Sequence, residues 1–286
     1  MKTRGFTLVE MIIGAAVTSI LALAVFAVMN ASMVLSAKNL SLNLTSNSLR
    51  SALDHVEQSV QMGYNMPTLV TASGAATNVQ PAAGITFDKF LGSPYVVTVP
   101  GGGIPASTTV LTLTRSTDAV ASPPIPRAGD IIRLATTAST LRPHIQSVVV
   151  GAVDAQLHQA FTITLTAALG TAVNPTSGTI LTAEVIRNVA FIVVPNSGKQ
   201  ELRYYASFDA TGDVNDVTKY AMVIDQIGSG TVDATPFTLT TYESKPFVSF
   251  SIRVRASSWD QGLRSQRDSF NTYNRVETLL RPKIIP

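Results

Sequence analysis

The chain has 286 residues, of which 45% are hydrophobic and only 14% charged, against a usual charged share of about 25%. That length suits one large or two small domains, and the Thr, Ser, Val, Ala and Gly that dominate it suit β-structure with polar turns. A formal charge of +3 exerts little pull on nucleic acid, and the lack of cysteine excludes disulfides, thiolate zinc sites and thiol chemistry.

Residues 5–29 read GFTLVEMIIGAAVTSILALAVFAVM, an apolar run with one charge, Glu10. From Phe6 to Met29 there are 24 residues. As a helix they would extend about 36 Å, enough to cross a bilayer's apolar core of about 30 Å. Lys2 and Arg4 precede the run and no basic residue follows until Lys38. The positive-inside rule then sets the N-terminus in the cytoplasm and the remainder across the inner membrane. A carboxylate at the centre of a membrane helix costs about 2.5–3.5 kcal/mol on insertion scales, so Glu10 calls for a partner. An ordinary signal peptide cut near Ala22-Leu23-Ala24 fits the hydropathy, as does a plain signal anchor. Both leave Glu10 as an unexplained penalty.

Gly5-Phe6-Thr7-Leu8-Val9-Glu10 resembles the processing motif of type IV prepilins and type II secretion pseudopilins. The resemblance implies a leader over residues 1–5, cleavage by a prepilin peptidase between Gly5 and Phe6, and methylation of Phe6 at its new amine. Glu10 matches the acidic fifth residue of the mature chain in that family. In the family's filaments this acid meets the N-terminus of a neighbouring subunit, and a buried lone charge is avoided by pairing. Within one chain the new amine at Phe6 would lie a helical turn from Glu10. Losing Lys2 and Arg4 would take the 21 basic residues to 19 against 18 acidic ones.

Helical patterning continues past the apolar run. Leu35, Leu42, Leu49, Leu53, Val56 and Val60 are spaced 7, 7, 4, 3 and 4, one stripe of an amphipathic helix, which Gly63 and Pro67 end. The spacing predicts a helix from Phe6 to Met62, 57 residues and about 85 Å long. Residues 6–29 form its membrane or filament-core part, and residues 30–66 form an amphipathic stem segment. Residues 6–66 contain no proline, so any local unwinding must use Gly14 or the Thr18-Ser19 pair.

After Pro67 the period becomes two. Ile85-Phe87, Tyr95-Val97, Thr109-Leu113, Phe161-Leu165 and Phe247-Ile252 read as strands. Gly92-Ser93-Pro94, Pro100-Gly101-Gly102-Gly103 and Asn174-Pro175 read as turns, and Pro123-Pro124-Ile125-Pro126 as a rigid loop or subdomain break. Glu201–Phe208 and Val217–Ile227 suggest a strand pair, with a last strand near the C-terminus. This layout resembles the larger minor pilins and J-like pseudopilins. The expected class is therefore α+β, a long N-terminal stem helix packed on a mainly antiparallel β-head over residues 67–286.

Catalytic signatures are lacking. The three histidines, His55, His144 and His158, fall in no matching motif, and Ser197-Gly198-Lys199 lacks the upstream Gly and following Ser/Thr of a phosphate loop. Asp209, Asp213, Asn215 and Asp216 in FDATGDVND are the densest oxygen donors. They make weak calcium candidates, because Asx residues also favour turns for backbone reasons and EF-hand spacing is absent. Residues 257–274, with Trp259, Arg264 and Arg267, form a long patternless stretch suited to a neighbouring subunit, a ligand or solvent.

The sequence thus points to a non-enzymatic filament subunit without cofactors, minor rather than major, of a type IV pilus or secretion pseudopilus. Expected partners are the prepilin peptidase, other pilin or pseudopilin subunits, the assembly platform and ATPase machinery, and the membrane before assembly, with no nucleic acid. The rival reading is a membrane-anchored extracytoplasmic domain that binds a ligand or glycan and never polymerises.

Overall fold

A computed structural model describes residues 7–92, 95–101, 103–116, 125–135, 140–174, 180–197, 199–210, 212–227, 231–242, 245–255 and 273–280. Helix α1, Leu8–Gln61, runs 54 residues, or about 80 Å. Thr7 caps its start and the backbone of Met62 closes its end. It is continuous through Gly14, where the Thr18 and Ser19 hydroxyls donate to the carbonyls of Gly14 and Ala15 at 2.7 and 2.8 Å.

The stem has two halves. From Leu8 to Met33 its large apolar side chains are exposed, as in Leu8 at 77% and Phe26 at 70%, and Val34 and Leu42 are half-buried. Docking begins at Thr45 and is carried by Leu49, Ala52, Val56, Ser59 and Val60, all buried. Buried valines and leucines each contribute about 1.5–3 kcal/mol. Leu35, the first residue of the expected stripe, is exposed, because the head does not reach that far up the helix.

The head strands are β1 Thr68–Val70, β2 Gly84–Phe90, β3 Tyr95–Val97, β4 Val110–Ser116, β5 Ile131–Ala135, β6 Thr140–Leu141 and β7 Ile145–Val153. They continue as β8 His158–Leu165, β9 Thr182–Asn196, β10 Lys199–Tyr205, β11 Tyr220–Ile227, β12 Phe237–Tyr242, β13 Lys245–Arg255 and β14 Tyr273–Leu280, with one short helix, α2 Thr231–Ala234. Among the described residues all 14 strands belong to one sheet, and every pairing between them is antiparallel. Its main path runs β12-β13-β11-β10-β9-β3-β4-β8-β7. The fold is α+β, a long helix on a mainly antiparallel sheet.

Strand β9 organises the head. One edge pairs β10 along residues 190–196 and then β5 along 183–186. The other pairs β2 along 186–192 and then β3 at 182–183. Its side chains alternate between two buried faces. Val189, Phe191 and Val193 join the stem's core cluster, whereas Ala190, Ile192 and Val194 join Val70, Tyr205 and Val214 on the reverse face. Ala183 and Val185 enter a second lobe with Tyr95, Leu113, Ile132 and Phe161. Gly84 lets β2 close on β9, since a Cβ there would lie 2.5 Å from the Phe191 carbonyl oxygen.

Candidate functional site

The helix N-terminus carries the assembly candidate. Thr7 has an extended backbone and accepts at Oγ1 from the Glu10 amide at 3.3 Å. In return Glu10 Oε2 accepts from the Thr7 amide at 2.9 Å and from its hydroxyl at 3.0 Å. This reciprocal capping box satisfies N–H groups that a helix start leaves orphaned. Glu10 therefore has an intrachain partner, and its Oε1 accepts none of these bonds. The box is legible in the sequence as Thr7-x-x-Glu10 before an apolar run, a capping signal that overlaps the processing motif. Gly5 and Phe6, the expected cleavage and methylation residues, lie outside the described residues.

The apolar half of α1 is long enough to cross a membrane and has no part of its most apolar stretch buried against the head. An apolar surface that runs round the whole helix suits lipid or a helical filament core.

The other candidates are scattered. His55 packs edge-on against Phe191 at 5.4 Å and tilted on Tyr204 at 4.6 Å, and burial first, then the Lys89 charge, holds its imidazole below the usual range. His144 lies beside Ile131 at the entry to β7. His158 Nδ1 is 3.6 Å from Asp154 on the β7–β8 hairpin, where both are about half exposed. Burial pushes the Tyr95 phenol up to about 12. Ser197 takes a φ of 49° just after β9, and Lys199 opens β10, the strand that pairs with β9. A phosphate loop instead leads from a strand into a helix. The Gly103 amide donates to the Pro100 carbonyl at 2.9 Å, a turn-closing bond.

In the 209–216 loop the oxygens are engaged with the protein. Asp213 Oδ1 accepts from the Asn215 amide at 2.8 Å, and Asp216 Oδ1 accepts from the Thr218 amide and hydroxyl at 3.0 and 2.7 Å. These bonds to Thr218, with a smaller effect of Lys219, hold the Asp216 carboxyl below its usual range. Asn215 Oδ1 accepts from Arg203 Nη1 at 3.1 Å, and the Asp209 carbonyl accepts from the Gly212 amide at 3.0 Å. Among the described residues no three His, Cys, Asp or Glu side chains gather as a metal site. Trp259, Arg264 and Arg267 fall outside the described residues.

Residues 1–26 match the family model described as the prokaryotic N-terminal methylation motif. The match covers the basic residues Lys2 and Arg4, the Gly5-Phe6 junction, Glu10 and most of the apolar run. Over this N-terminal stretch it supports a type IV prepilin-like protein, and the motif is one of structural pilin- and pseudopilin-like precursors. The motif implies processing by a prepilin peptidase and assembly with other pilins, and with the apolar helix it fits membrane anchoring. Searches of curated proteins and of solved structures returned no match to the chain.

Proposed function

We propose that the chain is a minor structural subunit of a type IV pilus or type II secretion pseudopilus. Cleavage between Gly5 and Phe6 and methylation of Phe6 release a mature subunit anchored by one helix in the inner membrane, with its head outside the cytoplasm. Polymerisation then transfers the apolar half of α1 from lipid into a helical filament core. The observation that carries this reading is the join of the methylation motif to a fully exposed apolar half-helix. A large two-lobed head favours a minor over a major subunit.

Glu10 supports assembly in two ways. Oε2 caps its own helix through Thr7, and Oε1 remains for a neighbour's N-terminal amine. Breaking a buried pair of this kind costs about 3–5 kcal/mol, or two orders of magnitude or more in incorporation. Glu10→Ala should therefore leave cleavage intact and deplete the subunit from a sheared-filament fraction, with Glu10→Gln milder. Equal amounts of wild type and Glu10→Ala in that fraction would refute the pairing.

A further inference from the structure

A cleft of about 560 Å³ opens on the stem side of the sheet, where α1 ends. Met62, Phe90, Leu91, Val189 and Tyr204 give it apolar walls, and it has two cations, Lys89 and Arg187. The two differ in how they are satisfied. Arg187 donates from Nε and Nη2 to Asp130 at 2.7 and 2.8 Å and from Nη2 to the Ile125 carbonyl at 3.0 Å. Its charge is neutralised inside the protein.

Lys89 forms no ion pair with any carboxylate among the described residues. Asp88, its neighbour in sequence, is bound to Asn65 and Asn188 at 2.9 and 3.0 Å. Among the described residues the Lys89 ammonium meets only the buried Ser59 hydroxyl, at 3.4 Å, which is long for an N–H···O contact. Burial holds its pKa below the usual lysine range, and its charge also lowers that of His55.

We propose that this cleft binds a small monocarboxylate with an aryl or alkyl body. The carboxylate would sit on the Lys89 ammonium, with the apolar body against Met62, Phe90, Leu91 and Val189. The volume lies within the span of small-ligand sites, which combine apolar walls with a few placed polar groups. A neutral hydrophobe would leave the half-buried cation uncompensated, whereas a hydrophilic dianion would gain nothing from the apolar walls.

The test uses the full chain in lipid nanodiscs and a fluorine NMR titration with para-fluorophenylbutyrate, with empty nanodiscs correcting for lipid partition. Saturable binding is expected, weaker by about tenfold or more for the matching butanamide and for Lys89→Met, as the loss of a charge-assisted contact requires. Absence of saturable binding, or equal binding of acid and amide to the wild type, would overturn the proposal. So would a Lys89→Met chain that binds the acid as tightly as wild type. If Lys89→Met does not fold, the acid and amide pair on the wild-type chain decides. A short peptide with a free C-terminal phenylalanine that binds tenfold tighter than the butyrate would assign the cleft to a protein terminus and overturn the small-ligand reading.

Discussion

Replacing Asp130 should unfold the head more readily than any surface change. Asp130 is fully buried and Arg187 is 6% exposed. Its carboxylate accepts two hydrogen bonds from the guanidinium and a third from the Arg127 amide at 2.8 Å. Asp130→Ala leaves the nearly buried Arg187 charge with the Ile125 carbonyl as its one hydrogen-bond partner among the described residues. Breaking a buried pair from one side costs about 3–5 kcal/mol. For a head of this size each kcal/mol lowers Tm by about 2–4 °C, so a fall of about 6–20 °C is expected. Thermal unfolding followed by circular dichroism in the β region, on the full chain in detergent, reads it. Asp130→Leu combined with Arg187→Met should recover most of the loss, because an apolar pair of similar volume is often neutral. A single Asp130→Ala variant within about 1 kcal/mol of wild type would refute the reasoning.

Stability should also fall with acid through His55. Its folded pKa lies below the ordinary value, so its contribution is complete above about pH 6.5 and is lost as pH drops through the folded pKa. His55→Leu should weaken that pH dependence below about pH 6.5, measured as the urea midpoint, and identical slopes would contradict it. Calcium should leave Tm nearly unchanged, because the oxygens of the 209–216 loop already close turns and face Arg203 and Lys219. A site with a Kd a hundredfold below the added calcium would contribute about 2.7 kcal/mol. A shift of that size, abolished by Asp213→Ala with Asp216→Ala, would establish a calcium site.

The sequence was most legible where one physical constraint acts over many residues. The apolar run and its stripe made α1 readable to within two residues at its start, at Leu8 against the expected Phe6, and one at its end. Strands with one apolar face were readable too: Ile85-Phe87 lies in β2, Tyr95-Val97 is β3, and Phe161-Leu165 lies in β8. The central strand was not. In β9 the run Val189 to Val194 is buried on both faces, so it shows no alternation to detect. Strand β7, Ile145–Val153, was missed for the opposite reason. It lies at the end of the sheet's main path and mostly exposes its valines, which leaves no inward face to set a period. The Asp130–Arg187 pair joins residues 57 apart, and only the β5–β9 pairing brings them together. Lys89 reads as an ordinary strand lysine until the stem end and Tyr204 close over it. The capping role of Thr7 is legible as well, though it lies inside the processing motif and shares Glu10 with it.

The claim that this chain is a processed pilin-like subunit rests on its first ten residues, and intact-mass and N-terminal peptide mass spectrometry of the protein purified from membranes tests it most directly. The mature chain should begin at Phe6, with one methyl group on its α-amine. A chain that retains Met1, or one that begins near Val25 after an ordinary signal cleavage, would contradict the account.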